Sequence, residues 1–189
     1  MRLEPIDRAP TLKGRIASWM MKRQLGKVIT PARVVYNRVP AAYDVAYALI
    51  KVLPKLTLDA QTRLLVQTWP AMINSCHFCV DIAKAQAVMA GLGLEKFEAL
   101  PQWRTSVLFS DRERAALAYV EEATRHKKVA DATFEALRKH FDEREIVEIT
   151  YLNAIENFYN LINIPLEIEE SDGLCAIQQE RRAGRRAHA

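Results

Sequence analysis

Apolar residues in this chain recur at three- and four-residue spacing almost from end to end, and that period most narrows the folds open to it. Ile146, Ile149, Leu152 and Ile155, for example, fall on one side of a helix. Strands would show alternating apolar and polar positions bounded by hairpin pairs such as Asn-Gly, and that pattern is missing. An all-α, single-domain helical bundle follows. A chain of 189 residues, half hydrophobic and about a quarter charged, can bury a sizeable core and is too apolar for bulk disorder.

Punctuation residues divide the period into helices. Thr11 to Gly26 reads as a basic amphipathic helix with Ile16, Trp19, Met20 and Leu25 on or near one side, closed by the glycine. Docking of that side on the core or on a partner subunit is expected ahead of a membrane surface. Pro31 and Pro40 mark a connector, Ala41 to Leu53 a second helix stopped by Pro54, and Thr57 or Asp59 the start of a third that Pro70 should kink before Asn74. A helix from Cys76 to Ala90 is closed by Gly91 and Gly93, both expected left-handed, and Glu95 to Leu100 makes a short one. Ser110 with Glu113 resembles a capping box opening a helix through Arg125; Asp131 caps another to His140, and Asp142 starts the last long one, to Asn163, stopped by Pro165. The organisation expected is a basic N-terminal helix and connector over 1–40, a helical domain over 41–165 and a basic C-terminal tail over 166–189.

Charge is uneven. Residues 1–40 carry nine Lys or Arg against Glu4 and Asp7, and after Glu180 come Arg181, Arg182, Arg185 and Arg186 with no apolar period, a frayed end by composition. No recognition helix, zinc finger or aromatic-rich basic sheet accompanies them, so specific nucleic-acid binding is not expected. No run approaches the ~18 apolar residues of a membrane span, and the first residues lack a charged-then-apolar leader pattern, so a cytoplasmic protein is expected. Three cysteines, one left over, do not make a secreted disulfide framework.

Cys76-His77-Phe78-Cys79 carries the chemistry. Two thiols three residues apart at a helix start meet unpaired N–H groups and the positive end of the helix dipole, which favours thiolate. The readings open are a dithiol that cycles through a disulfide, half of a zinc site, or a pair of core cysteines. Zinc wants two further ligands, and beyond the pair the chain offers only Cys175 and three other histidines, none suitably spaced; no metal and no cofactor are expected.

Leu58 to Gly93, with Asn74, the Cys-x-x-Cys, Asp81 and the Gly-Leu-Gly close, resembles the alkylhydroperoxidase D-like, carboxymuconolactone decarboxylase superfamily. Phe109-Ser110-Asp111-Arg112-Glu113-Arg114-Ala115-Ala116-Leu117 is similar to the helix after its active-site helix, and Phe141 to Asn163, with Asn153, Asn157, Asn160 and Asn163, to its closing helix. The resemblance implies an all-helical fold, a homo-oligomer (trimer or hexamer), and an antioxidant, peroxiredoxin-type activity on organic hydroperoxides, with an external dithiol as reductant. It also implies that Cys79 attacks peroxide oxygen and Cys76 resolves the sulfenic acid. The family's relay places a glutamate about three turns before the first cysteine and a histidine four residues after the second; here those positions hold Leu64 and Ala83.

At about 100° per residue Ala83 lies between the cysteines one turn along, and nothing on that face accepts a proton, so a base has to arrive from another helix, another subunit or water. His77 is either a group that raises thiolate content or a surface histidine paired with Asp81; Asp81 is either a supporting group or a first-turn acid that suits the helix dipole. Gln67, one turn after Leu64, is a stand-in for the missing glutamate; Lys84 and Arg63 are cations near a thiolate or solvated charges. Glu113 and Glu156 are either groups that reach the site from other helices or, more simply, capping or surface residues, and Trp69, Trp103, Phe78 and Tyr159 are core or interface packing ahead of a substrate pocket. A positioned base contributes about 10²–10⁴-fold, so weak thiol-dependent peroxidase activity is expected. The alternatives are a dithiol redox sensor or disulfide reductase without peroxide turnover, an enzyme on a small organic acid with an incidental dithiol, and a catalytically degenerate oligomeric scaffold.

Overall fold

Side-chain caps and left-handed stops cut the chain where its punctuation suggests. The computed structural model describes residues 1–168 and 170–187. Thr11 accepts from Gly14 N at 3.1 Å to start α1 (Leu12–Leu25), and Gly26 at φ 97° ends it. A π-helical turn, Ala32–Tyr36, lies in the connector before α2 (Ala42–Val52). Asp59 accepts from Thr62 N at 2.9 Å and opens α3 (Ala60–Ile73), which runs through Pro70 at the cost of one helical hydrogen bond. After α4 (His77–Met89) and the short α5 (Glu95–Glu98) come α6 (Asp111–His126) and α7 (Asp131–Arg138), then α8 (Glu143–Asn163) and α9 (Leu174–Ala187). Reciprocal capping boxes, Ser110 with Glu113 and Asp142 with Glu145, start α6 and α8. No strand is formed among the described residues, and the fold is all-α.

Four local expectations give way. The segment after Glu180 is not frayed: it continues α9, which docks on α4 and α1, so α8 is not the last long helix. Residues 169, 188 and 189 of the expected 166–189 tail lie outside the described residues. Gly93 is not left-handed, since Gly91 at φ 78° alone makes that turn. Asp131 is the first helical residue of α7, behind Ala130 as N-cap.

The main core lies where α3, α6 and α8 meet, around the buried Leu65, Val66, Leu117, Val120, Ile149 and Leu152. Burying a side chain of this size contributes about 1.5–3 kcal/mol. Trp69 and Trp103 belong to this core and both donate their indole N–H to Glu121 Oε2, at 3.1 and 3.3 Å. Glu113 caps as expected and is also a buried hub, accepting from Lys96 at 2.6 Å and Gln61 at 2.8 Å. Glu148 on α8 accepts from the amides of Thr57 and Leu58 and ties the entry to α3 onto the closing helix. These contacts fix α3 against α8, and α4 packs on both.

Candidate active site

The turn between α3 and α4 aims the cysteines. Cys76 N donates to Ala71 O at 2.9 Å and Ser75 N to Met72 O at 3.0 Å, with Ser75 left-handed at φ 60°, a Schellman turn built on serine instead of glycine. It makes Cys76 the N-cap of α4 and puts Cys79 at the third helical position, within the positive first turn. Ser75 is exposed. Ser75→Gly should relieve the left-handed strain and raise stability by about 0.5–1 kcal/mol, a thermal midpoint gain of roughly 2 °C, with the Cys76–Cys79 disulfide still formed.

The two cysteines are joined as a disulfide, their Cα atoms 5.2 Å apart. Their surroundings differ. Both are buried in a small apolar cluster with Ala71, Phe78, Ala85 and Leu174, but of the two only Cys79 also lines a cavity.

An asparagine ladder on α8 meets Cys79 from the other side. Asn160 Nδ2 donates to Cys79 Sγ at 3.2 Å and to Glu156 Oε1 at 2.7 Å, and Asn163 Nδ2 approaches the same sulfur at 3.5 Å. The amide orientation is forced: Asn160 Oδ1 is occupied by Asn74 Nδ2 at 2.7 Å, so its N–H groups face the sulfur and the carboxyl. Asn74 also meets Asn157 Oδ1 at 3.1 Å, Asn157 donates to Asn153, and Thr124 hydroxyl closes the ladder at Asn153 Oδ1, 2.8 Å. The Cys79 sulfur, here in the disulfide, stands where the thiolate of the reduced pair sits. N–H groups directed at that sulfur favour the anion over the thiol.

Glu156, for which a capping or surface role is the simpler expectation from sequence, reaches the site from α8. It is 7 % exposed and lines the cavity with Cys79. Burial pushes its carboxyl up to about 7, with the Asn160 N–H pulling the other way. A carboxylate that changes charge near neutrality beside a thiol is suited to taking the thiol proton. The signal for it was in α8's own spacing: Ile149, Asn153, Glu156, Asn160 and Asn163 share the buried stripe.

The cavity measures about 530 Å³, within the range of small-molecule sites. Ile16, Ala17, Met20 and Met21 of α1, Tyr47, Leu49 and Ile50 of α2, and Phe78, Ile82 and Ala83 of α4 make most of its wall. Phe78 and Tyr159 therefore face the cavity, not packing alone. Polar groups are few; at one edge Lys13 pairs with Asp44 at 2.7 Å.

Of the residues singled out from sequence, the structure brings Gln67 and Cys79 to this cavity, and Gln86 also lies at its exposed edge, where an amide is no base at neutral pH. His77 projects into solvent. Asp81 does not pair with it: the carboxylate is buried and accepts from Leu174 N at 2.8 Å and Cys175 N at 3.0 Å, anchoring the start of α9. Asp81→Ala should cost roughly 1–3 kcal/mol and speed amide exchange across Leu174–Ala187 while α4 stays protected. Lys84, on the same helix, is half-buried, and its charge acts on Cys175, whose thiol burial and then Asp81 push up. Arg63 is bound to Leu53 O. Leu64 lies in the main core and Ala83 in the cavity wall, so neither relay position supplies a proton acceptor. Among the described residues no three His, Cys, Asp or Glu side chains gather into a metal-holding cluster, and no helix is long and apolar enough to cross a membrane.

Comparison with known proteins agrees with this architecture. The carboxymuconolactone decarboxylase family pattern matches residues 33–122. The uncharacterised protein YnjA of Escherichia coli is 33% identical over 184 residues, 96% of this chain and all of YnjA. A solved structure from Agrobacterium tumefaciens, of unknown function and provisionally assigned to antioxidant defence as AhpD, is 30% identical with a TM-score of 0.66, covering 71% of this chain and 94% of its own. The debrominase Bmp8 bound to 2,3,4-tribromopyrrole is 17% identical with a TM-score of 0.76, over 96% of this chain and 97% of its own, a likeness of fold alone. By the family pattern across the dithiol helix and a full-length relative at one-third identity, this chain belongs to the carboxymuconolactone decarboxylase family, within the alkylhydroperoxidase D-like superfamily.

Proposed function

We propose that the chain is a thiol-dependent peroxidase that reduces a small organic hydroperoxide at Cys79. One observation carries the reading: Asn160 bridges Cys79 to a buried Glu156, and both groups open on one apolar cavity. Glu156 takes the thiol proton; the thiolate attacks the distal peroxide oxygen, the O–O bond breaks, and an alcohol leaves as Cys79 becomes a sulfenic acid. Cys76 then displaces that hydroxyl as water to form the disulfide, and an external dithiol restores both thiols by exchange. With Glu156 as base, α8 takes over the task that the family gives to the positions of Leu64 and Ala83, so turnover is substantial and not residual. The substrate is a small molecule, and the setting is cytoplasmic, where dithiols stay reduced. The exposed Val147, Tyr151, Phe158 and Leu161 on α8 support a homo-oligomer, which sedimentation checks.

Purified protein with excess dithiothreitol should consume cumene hydroperoxide above the reductant-only blank, forming one Cys76–Cys79 disulfide per peroxide in single turnover. A rate equal to the blank rejects peroxidase catalysis and leaves the redox-sensor or disulfide-reductase reading. A second reading rests on the debrominase fold neighbour and the apolar cavity. In it the dithiol closes to the disulfide and supplies the two electrons that replace a C–Br bond of a small aromatic ring by C–H, with bromide leaving and the proton coming from the thiols. Bromide release measured beside peroxide loss separates the two.

A further inference from the structure

The cavity holds a proton-bearing group that the scheme above leaves unused. Tyr36 ends the π-helical turn, the kind of irregularity that recurs at functional sites. It is 7 % exposed, lines the cavity with Cys79, and its hydroxyl has no hydrogen-bond partner among the described residues and is open to the cavity space. Its ring is held firmly. Tyr43 packs on it with centroids 5.3 Å apart, and Tyr43 is fixed in turn by donating to Asn37 Oδ1 at 2.9 Å.

Resting on the peroxidase reading, we propose that Tyr36 is the general acid of the peroxide step, donating its phenolic proton to the departing alkoxide oxygen while Cys79 takes the distal one. In-line attack puts the leaving oxygen on the far side of the distal oxygen from sulfur. Glu156 is held on the sulfur side by Asn160 and cannot serve that position at the same moment. Tyr36 comes from the wall built by the connector, α1 and α2. The balance closes: the S–O bond forms, the O–O bond breaks with its electron pair on the alkoxide, and the phenol proton completes the alcohol. The phenolate then regains a proton from solvent entering the cavity and Glu156 releases the thiol proton to solvent, so both groups are reset for the next cycle. Burial, reinforced by Tyr159 and Tyr43, holds the Tyr36 phenol above its ordinary range, so it enters each cycle protonated.

Tyr36→Phe keeps the ring and removes a hydroxyl that stabilises nothing in the fold, so the variant should fold as wild type. Its second-order rate constant on cumene hydroperoxide should fall about 10²-fold. On a peracid, whose carboxylate leaves without a proton, the rate should stay within about twofold, and alkylation of Cys79 by iodoacetamide should be unchanged. Equal losses on hydroperoxide and peracid, no loss on either, or the same selective loss in Tyr159→Phe and not Tyr36→Phe would each overturn the assignment. Wild type inactive on both peroxides rejects the peroxidase reading and this assignment with it, whereas an active wild type with an unaffected Tyr36→Phe rejects the assignment alone.

Discussion

Cys79→Ser should lose hydroperoxide turnover by about 10⁴–10⁶-fold, to the reductant-only blank, the scale of deleting a catalytic nucleophile. Cys76→Ser should fail differently: without external thiol it consumes one peroxide per chain and then stops. The asymmetry follows the turn at Ser75, which leaves both sulfurs buried but places only Cys79 on the cavity. Cys79 faces the cavity and receives the Asn160 and Asn163 amides, while Cys76 does not line the cavity and is fully buried. A serine hydroxyl at 79 would find the same N–H groups, but an alcohol does not ionise near neutrality, so the site holds no nucleophile. In Cys76→Ser the sulfenic acid forms and has no partner to displace its hydroxyl. Mass spectrometry after trapping with a carbon nucleophile should find the adduct on Cys79. An adduct on Cys76 in the Cys79→Ser protein, with peroxide consumed, would exchange the two roles.

The helices were legible because their ends are written in local chemistry. Thr11, Asp59, Ser110 and Asp142 are caps whose side chains do what their type predicts, and an apolar stripe such as Ile146, Ile149, Leu152 and Ile155 has one way to be buried. Two segments were hidden for opposite reasons. The residues after Glu180 carry charge without apolar period, yet Asp81, 93 residues before Leu174 in sequence, supplies the anion that starts α9 and holds it on α4. The connector looked irregular because its two prolines break the helical pattern, and the π turn within it brings Tyr36 onto Tyr43, a contact that sequence spacing does not announce. At the site the dithiol, its helix terminus and the missing Leu64 and Ala83 relay were plain in sequence. Glu156 was not, since a glutamate is ordinarily a surface residue, and only its place in the buried row with Asn153, Asn160 and Asn163 sets it apart. His77 and Asp81 show the converse: sequence neighbours of a nucleophile that the helix turns away from it.

Glu156→Gln should slow peroxide reduction and stabilise the protein in the same substitution. The amide keeps an oxygen to accept from Asn160, so the ladder survives, but it takes no proton; kcat/KM at pH 8 should fall by about 10²–10⁴-fold. In wild type the rate should climb as pH rises through about 7, where Glu156 ionises, and that limb should be missing from the variant. Stability runs the other way. Buried in an apolar wall, the carboxyl holds its proton up to about 7 in the folded chain against an ordinary value of 4.5, so the folded state binds more protons than the unfolded one between those limits. The contribution is full below about 4.5 and is lost as pH rises to 7, a cost of roughly 3 kcal/mol by pH 8. Gln carries no such cost, so the two proteins should melt alike near pH 4.5 and diverge above it, the variant higher by several degrees at pH 8. A pH-independent difference in melting would mean that Glu156 ionises as freely as an exposed glutamate. A rate loss without the change in pH profile would make it a positioning residue for Asn160. Both effects together describe a carboxylate kept at a net cost to the fold because the thiol beside it needs a base, which is why a scaffold that had lost its chemistry would be expected to lose Glu156 first.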